Sequence, residues 1–167
     1  MHSVIPIVAD DFVIKPFDGK ELQVRVKNLV DQRELLREHF KKEFSLASPI
    51  SKSGLQSIDQ QFLQKALKVV DIHIADSEFS VEQFAELMAL SRVQLHRKMK
   101  AIADLSAGDF IKSIRLRKAA QMLKSRTGTV ADIAYAVGFN NPSWFAESFK
   151  KQFGVLPSEY NLAHPDL

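Results

Sequence analysis

Apolar residues over 79–100, and again over 129–150, recur at three- and four-residue steps, the period of a helix lying on a core. Each run is interrupted in the middle by about three residues, so each predicts a short helix, a break and a second helix, the layout of a helix-turn-helix. Start signals mark the boundaries. Ser80 is placed as an N-cap with Gln83 three residues on and Phe79 and Phe84 in the staple positions; Ser91 repeats this with Gln94, Leu90 and Leu95. Ser106 repeats it with Asp109, Leu105 and Phe110, and Pro142 suits a first helical turn behind an Asn141 cap. Leu95, Met99 and Ile102 then face inward in one copy, as do Phe145, Phe149 and Phe153 in the other. Between the copies, a helix from Ser106 to about Lys124 would be ~28 Å long and would bury Phe110, Ile114, Ala120 and Leu123. One turn of B-DNA is ~34 Å, so such a connector could hold two second helices in successive major grooves.

Upstream, a helix opening at 57–59 presents Phe62, Leu63, Ala66, Val69, Val70 and His73 on one face. With no second ligand nearby, His73 reads as a hydrogen-bonded core histidine rather than a metal ligand. The stretch 45–56 has Ser, Pro, Lys and Gly without periodicity and reads as a linker. Before it, Phe12, Val13 and Ile14 form a short β-prone run closed by Lys15 and Pro16. Asp18 and Glu21 then sit as a capping pair before a stripe of Leu22, Val26, Leu29, Val30, Leu36 and Phe40. The chain thus divides into 1–44, a linker 45–56, a helical module 57–161 and a tail 162–167.

Composition narrows the classes. An apolar share of 46% supplies a core and excludes a wholly disordered chain. The absence of cysteine removes disulfides, thiolate metal sites and a cysteine nucleophile, and fits a reducing, cytoplasmic setting. No apolar run approaches the ~18 residues that cross a bilayer, and the N-terminus lacks the pattern of a signal peptide. The net charge of +3 is unevenly spread. Residues 57–90 hold two basic and six acidic side chains, whereas 91–126 hold ten basic and two acidic. A basic block within a helix-turn-helix points to a polyanion; a solvated helix face is the plainer alternative.

On the first reading helix, Val93, His96, Arg97 and Lys100 point away from the core, with Ser91 and Arg92 at its exposed start. Arg97 is the strongest candidate for base contact, because a guanidinium grips guanine O6 and N7 together. His96 suits a base or a phosphate, and Val93 a thymine methyl. Lys98, Lys100 and Lys112 suit phosphate attraction, which sets affinity rather than sequence. On the second, Ser143, Glu147, Lys150 and Lys151 face out, with Asn141 at the cap and Trp144 on the flank. Glu147 is repelled by phosphates but can accept from cytosine N4. Arg115 is expected to be structural, pairing with Asp132 to lock the connector to the second unit.

Residues 91–100, Ile114-Arg115-Leu116-Arg117-Lys118-Ala119-Ala120, Ile133-Ala134-Tyr135-Ala136-Val137-Gly138-Phe139, and Phe145 with Phe149-Lys150-Lys151-Gln152-Phe153-Gly154 through Pro157-Ser158-Glu159-Tyr160 closely resemble the AraC/XylS family of bacterial transcription regulators. The resemblance spans about 57–161. It implies a mainly α, seven-helix double helix-turn-helix domain acting on promoter half-sites alongside RNA polymerase, with Val93, His96, Arg97, Ser143 and Glu147 at base-facing positions. Ala89 departs from the family's frequent glycine, at ~1 kcal/mol if that turn is left-handed. Asn161 stands where arginine commonly follows the tyrosine. Separately, Ala9-Asp10-Asp11-Phe12-Val13-Ile14-Lys15-Pro16-Phe17, with Lys20-Glu21-Leu22 and Arg25-Val26-Lys27-Asn28-Leu29, resembles the last strand and last helix of a response-regulator receiver domain. Lys15 matches its phosphate-sensing lysine. What precedes that strand in a receiver is missing, the phospho-accepting aspartate included, and Asp10 and Asp11 come too late to replace it. This remnant is therefore expected not to be phosphorylated in the receiver manner, and 1–8 reads as a new start. A receiver tail joined to this module resembles the end of a hybrid two-component regulator. Without its sheet, the stripe on 19–44 is expected to pair with a second copy of the chain.

An enzyme is the main rival class. Family members fused to alkyl-transfer domains need cysteine, and no phosphate loop, paired-histidine motif or serine-histidine-acid set appears. No cofactor, metal or small-molecule site is evident. A helical protein-interaction module without DNA contact is the alternative function. RNA is disfavoured, since no exposed aromatic platform for splayed bases is legible.

Overall fold

The computed structural model describes residues 19–45 and 58–160, with the side chains at 32, 36 and 39–45 left aside. Among them run seven helices: α1 (Gly19–Ser45), α2 (Ile58–Ile72), α3 (Val81–Leu87), α4 (Arg92–Ala103), α5 (Ala107–Lys124), α6 (Val130–Ala136) and α7 (Pro142–Phe153). No strand occurs among the described residues; the expected strand at Phe12, Val13 and Ile14, the Asp18 cap and Asn161 lie outside them. The module itself holds six of the helices, followed by a turn at 157–160.

Local chemistry sets the boundaries as the spacing predicts. At α3 and α4 the capping boxes close, with Ser80 accepting from the Gln83 N–H at 3.2 Å and Ser91 from the Gln94 N–H at 3.2 Å. Each glutamine returns the contact to the cap's own N–H, at 2.8 and 2.9 Å. These caps contribute ~1 kcal/mol apiece. Ser106 caps α5 at 3.1 Å, and the Asn141 Oδ1 accepts from the N–H groups of Ser143 and Trp144 ahead of the Pro142 turn. One box is not foreseen: Thr129 caps α6, its hydroxyl and backbone N–H donating to Asp132 at 2.6 and 3.1 Å.

Two cores result, and α5 belongs to both. Phe110, Ile111 and Ile114 pack with Leu63, Val70, Phe84, Leu95, Met99 and Ile102. Leu116, Ala119, Ala120 and Leu123 pack with Ile133, Val137, Phe139, Phe145, Phe149 and Tyr160. Ring contacts stiffen each half: Phe84 stacks on Phe110 at 6.1 Å, and Phe149 meets Phe153 at 4.5 Å and Tyr160 at 5.2 Å. His73 is half-buried and lies flat on the Phe79 ring, centroids 4.6 Å apart. The expected inward faces hold, with Leu95, Met99, Phe145 and Phe149 fully buried.

The stripe on α1 behaves otherwise. α1 packs against α4, yet Leu22, Val26 and Val30 remain exposed. Glu21 pairs with Arg25 at 2.9 Å.

Ala89 does adopt a left-handed backbone, at φ 58°. In the second copy the same turn position is Gly138, at φ 79°. Ala89→Gly is therefore expected to stabilise the protein by ~1 kcal/mol and raise Tm by roughly 4 °C. Thermal denaturation reads this directly, and an unchanged Tm would mean the turn holds no strain.

Acid sensitivity follows from two caps. The Thr129 hydroxyl and backbone hold the Asp132 carboxyl below the ordinary aspartate value of 3.8. The Lys112 ammonium, and then the Ser106 hydroxyl, do the same for Asp109. A depressed folded-state pKa gives stability that is present above the unfolded value and lost as pH falls through the folded one. Tm is thus expected to drop as pH falls toward and below about 4. Melts of Asp109→Asn and Asp132→Asn across this range should show a shallower drop than the unsubstituted chain.

Candidate nucleic-acid interface

The second helix of each unit offers an exposed face, because its other side is committed to a core. On α4, Leu95 and Met99 are fully buried, so Val93, His96 and Arg97 are turned outward, Val93 being 59% exposed. No described residue forms an ion pair or side-chain hydrogen bond with His96 or Arg97. On α7, burial of Phe145 and Phe149 leaves Ser143, Trp144, Glu147, Lys150 and Lys151 exposed, with Asn141 also exposed at the cap. The Trp144 ring meets that of Phe139 at a tilt, centroids 5.0 Å apart and planes at 54°.

The cations around this face are less uniform than their spacing suggests. Ser91 is exposed, and Arg92 pairs with Glu82 at 2.8 Å with both side chains well exposed. Such a pair is worth at most ~1 kcal/mol, so a phosphate can displace the carboxylate. Lys100 reaches the Asp104 carboxylate at 2.8 Å, and Lys112 the Asp109 carboxylate at 2.8 Å. Lys98 is half-buried, with its Nζ 4.9 Å over the Phe62 ring. Its stem lies along α2 instead of reaching outward, a cation–π contact the outward pattern does not reveal.

The Arg115–Asp132 pairing requires correction. Asp132 is held by Thr129, its capping partner three residues away. Arg115, 8% exposed, donates to the carbonyl of Gly138 at 3.1 Å and to the carbonyl of Asp76. Burial pulls its pKa down and Asp76 opposes that. It stands where α5 passes from one core to the other, so it ties the second unit's turn to the segment after α2. Its partners are backbone carbonyls in place of the expected carboxylate. Beside it opens a cleft of about 430 Å³ lined by Phe79, Ser80, Lys112, Arg115, Phe139 and Trp144. Among the described residues no group of three or more histidine, aspartate or glutamate side chains is placed to hold a metal ion, and no helix is long and apolar enough to cross a membrane.

Two helix-turn-helix units joined by a shared helix define a DNA-binding class of fold. The family of helix-turn-helix domains matches residues 84–163. The C-terminal domain of AraT, a response regulator from Geobacillus stearothermophilus, superposes with a TM-score of 0.56 at 30% identity, over 62% of this chain and 85% of that one. The HTH-type transcriptional regulator MtrA of Neisseria gonorrhoeae is 34% identical over 93 residues, 56% of this chain and 30% of that protein. Histidine kinase P4 of Formosa agariphila is 38% identical over 154 residues, 91% of this chain. That is 11% of the kinase's length, so the chain corresponds to a small part of it. Residues 84–163 thus carry a helix-turn-helix domain of the AraC type, the DNA-binding domain of transcription regulators.

Proposed function

We propose that this chain is the sequence-specific DNA-binding output segment of a two-component regulator, acting in the cytoplasm with α4 and α7 in successive major grooves of promoter half-sites. The observation that carries this reading is the outward face of α4, where Val93, His96 and Arg97 stand exposed on the second helix of a capped helix-turn-helix. Arg97 reads a guanine, and His96 and Val93 contact neighbouring positions. Ser91, Arg92, Lys98, Lys100 and Lys112 add phosphate attraction, Lys98 least because of its seat on Phe62. Ser143 and Glu147 read from α7, while Asn141, Trp144, Lys150 and Lys151 position it.

The two-component role is supported by a likeness to Histidine kinase P4 that runs over 91% of this chain and so takes in much of what precedes the module. AraT, by its description, is itself a response regulator. In this reading 1–44 is the end of a receiver domain. Residues 19–44 supply a homodimer contact through the exposed Leu22, Val26 and Val30, and RNA polymerase is the downstream partner.

Selection of genomic fragments by the isolated chain tests the central claim. Two half-sites about one helical turn apart are expected, with retention falling by orders of magnitude between about 50 and 200 mM salt. Retention of no DNA, or retention insensitive to salt, would favour a protein-interaction module.

A further inference from the structure

A helix ending in solvent leaves the carbonyls of its last turn without partners. In α4 that turn is closed partly from within, where Lys100 donates to the Asp104 carbonyl at 3.1 Å and the chain turns away at Asp104 with φ 57°. The Ala101 carbonyl is served from outside: the Arg37 Nε of α1 donates to it at 2.7 Å. One helical turn earlier, Arg33 donates from its Nε to the Asp59 carboxylate at 3.0 Å. Asp59 is 8% exposed at the start of α2, and its other oxygen has no partner. Two arginines on one face of α1 therefore bind the beginning of α2 and the end of α4, the helix bearing Arg97.

We propose that Arg37, seated by Arg33, is a positioning residue for the first reading helix: α1 clamps the C-terminal turn of α4 and so fixes how Arg97 and His96 are presented. The inference rests on the DNA-reading role above. Three features give it force. A cation at a helix C-terminus opposes the negative end of the dipole and holds the last turn closed. Base reading by a bidentate side chain tolerates only about 0.5 Å of misplacement. And α1 precedes the module in sequence, so any displacement of α1 is delivered to α4 through the Arg37 contact, and to α2 through the Arg33 contact.

The test uses the full chain, a duplex carrying a selected site, and amide hydrogen exchange on the DNA-free protein. Arg37→Ala is expected to weaken site binding roughly three- to tenfold and to speed exchange in the last turn of α4, with the salt dependence of binding unchanged. Arg33→Ala should act in the same direction. Arg37→Lys, which keeps a cation able to reach a carbonyl, should restore part of both signals. Affinity and exchange equal to those of the unsubstituted chain would overturn the clamp. So would a loss of affinity accompanied by a salt slope reduced by about one, which marks a direct phosphate contact. Failure of the unsubstituted chain to bind DNA would sink the proposed function instead, and exchange in α4 would still judge the clamp separately.

Discussion

Arg97→Ala is expected to weaken binding to a selected site by about 5- to 160-fold, the loss of the 1–3 kcal/mol that a bidentate arginine–guanine pair contributes. Tm should stay unchanged, because Arg97 is exposed and no described residue pairs with it. The loss should also be selective. A guanidinium that reads one base leaves the remaining positions of the site discriminating as before, so the variant's selected sequences should relax at a single position. A phosphate contact behaves differently: Lys150→Ala should weaken binding to all sequences alike and reduce the salt slope by about one. Measuring both variants against the selected site, a site changed at one base pair, and mixed DNA separates the two roles. Equal losses of Arg97→Ala on all three duplexes would assign Arg97 to the backbone and leave specificity to α7.

The features legible in the sequence are those fixed by neighbours three or four residues apart. The caps at Ser80, Ser91, Ser106 and Asn141, and the inward faces of α4 and α7, follow from such spacing and are present. Asp132 shows the limit of reading pairs at long range. Two roles compete for one carboxylate, and the hydroxyl of Thr129, already three residues away, takes it. The Thr129-x-x-Asp132 spacing repeats that of Ser106-x-x-Asp109, so the cap was there to be read. The true partners of Arg115 were not, because backbone carbonyls carry no residue-type signature. The same holds for Arg37, whose acceptor is the carbonyl of an alanine 64 residues away. Lys98 fails for a different reason. It sits at the edge of the face that buries Leu95 and Met99, where a small change in helix rotation decides between solvent and the ring of Phe62.

Gly138→Ala is expected to be the most destabilising single substitution proposed for this chain, by more than ~3 kcal/mol, with Tm lowered by more than roughly 12 °C. Its φ of 79° charges any other residue a left-handed penalty, yet Ala89 accepts that penalty at the matching turn of the first unit. The difference is space. Ala89 is exposed, whereas Gly138 is buried, and a Cβ there would lie 2.5 Å from the Ile74 carbonyl oxygen and 2.9 Å from the Arg115 guanidinium carbon. A guanidinium can shift; the backbone that follows α2 cannot shift without moving the first core. Arg115→Ala combined with Gly138→Ala decides which contact governs. If the double variant is as unstable as Gly138→Ala alone, or more so by the loss of the Arg115 hydrogen bonds, the Ile74 carbonyl is responsible; recovery above Gly138→Ala would assign the clash to the side chain. Arg115→Ala alone should also lower Tm, since it strips the buried donor from the carbonyls of Gly138 and Asp76. Such close approach at Gly138 makes the turn between α6 and α7 part of the joint between the two units. A side chain there pushes the second unit away from the first and alters the separation of α4 and α7, so the Gly138→Ala fraction that remains folded should bind a two-half-site duplex more weakly than a single half-site comparison predicts.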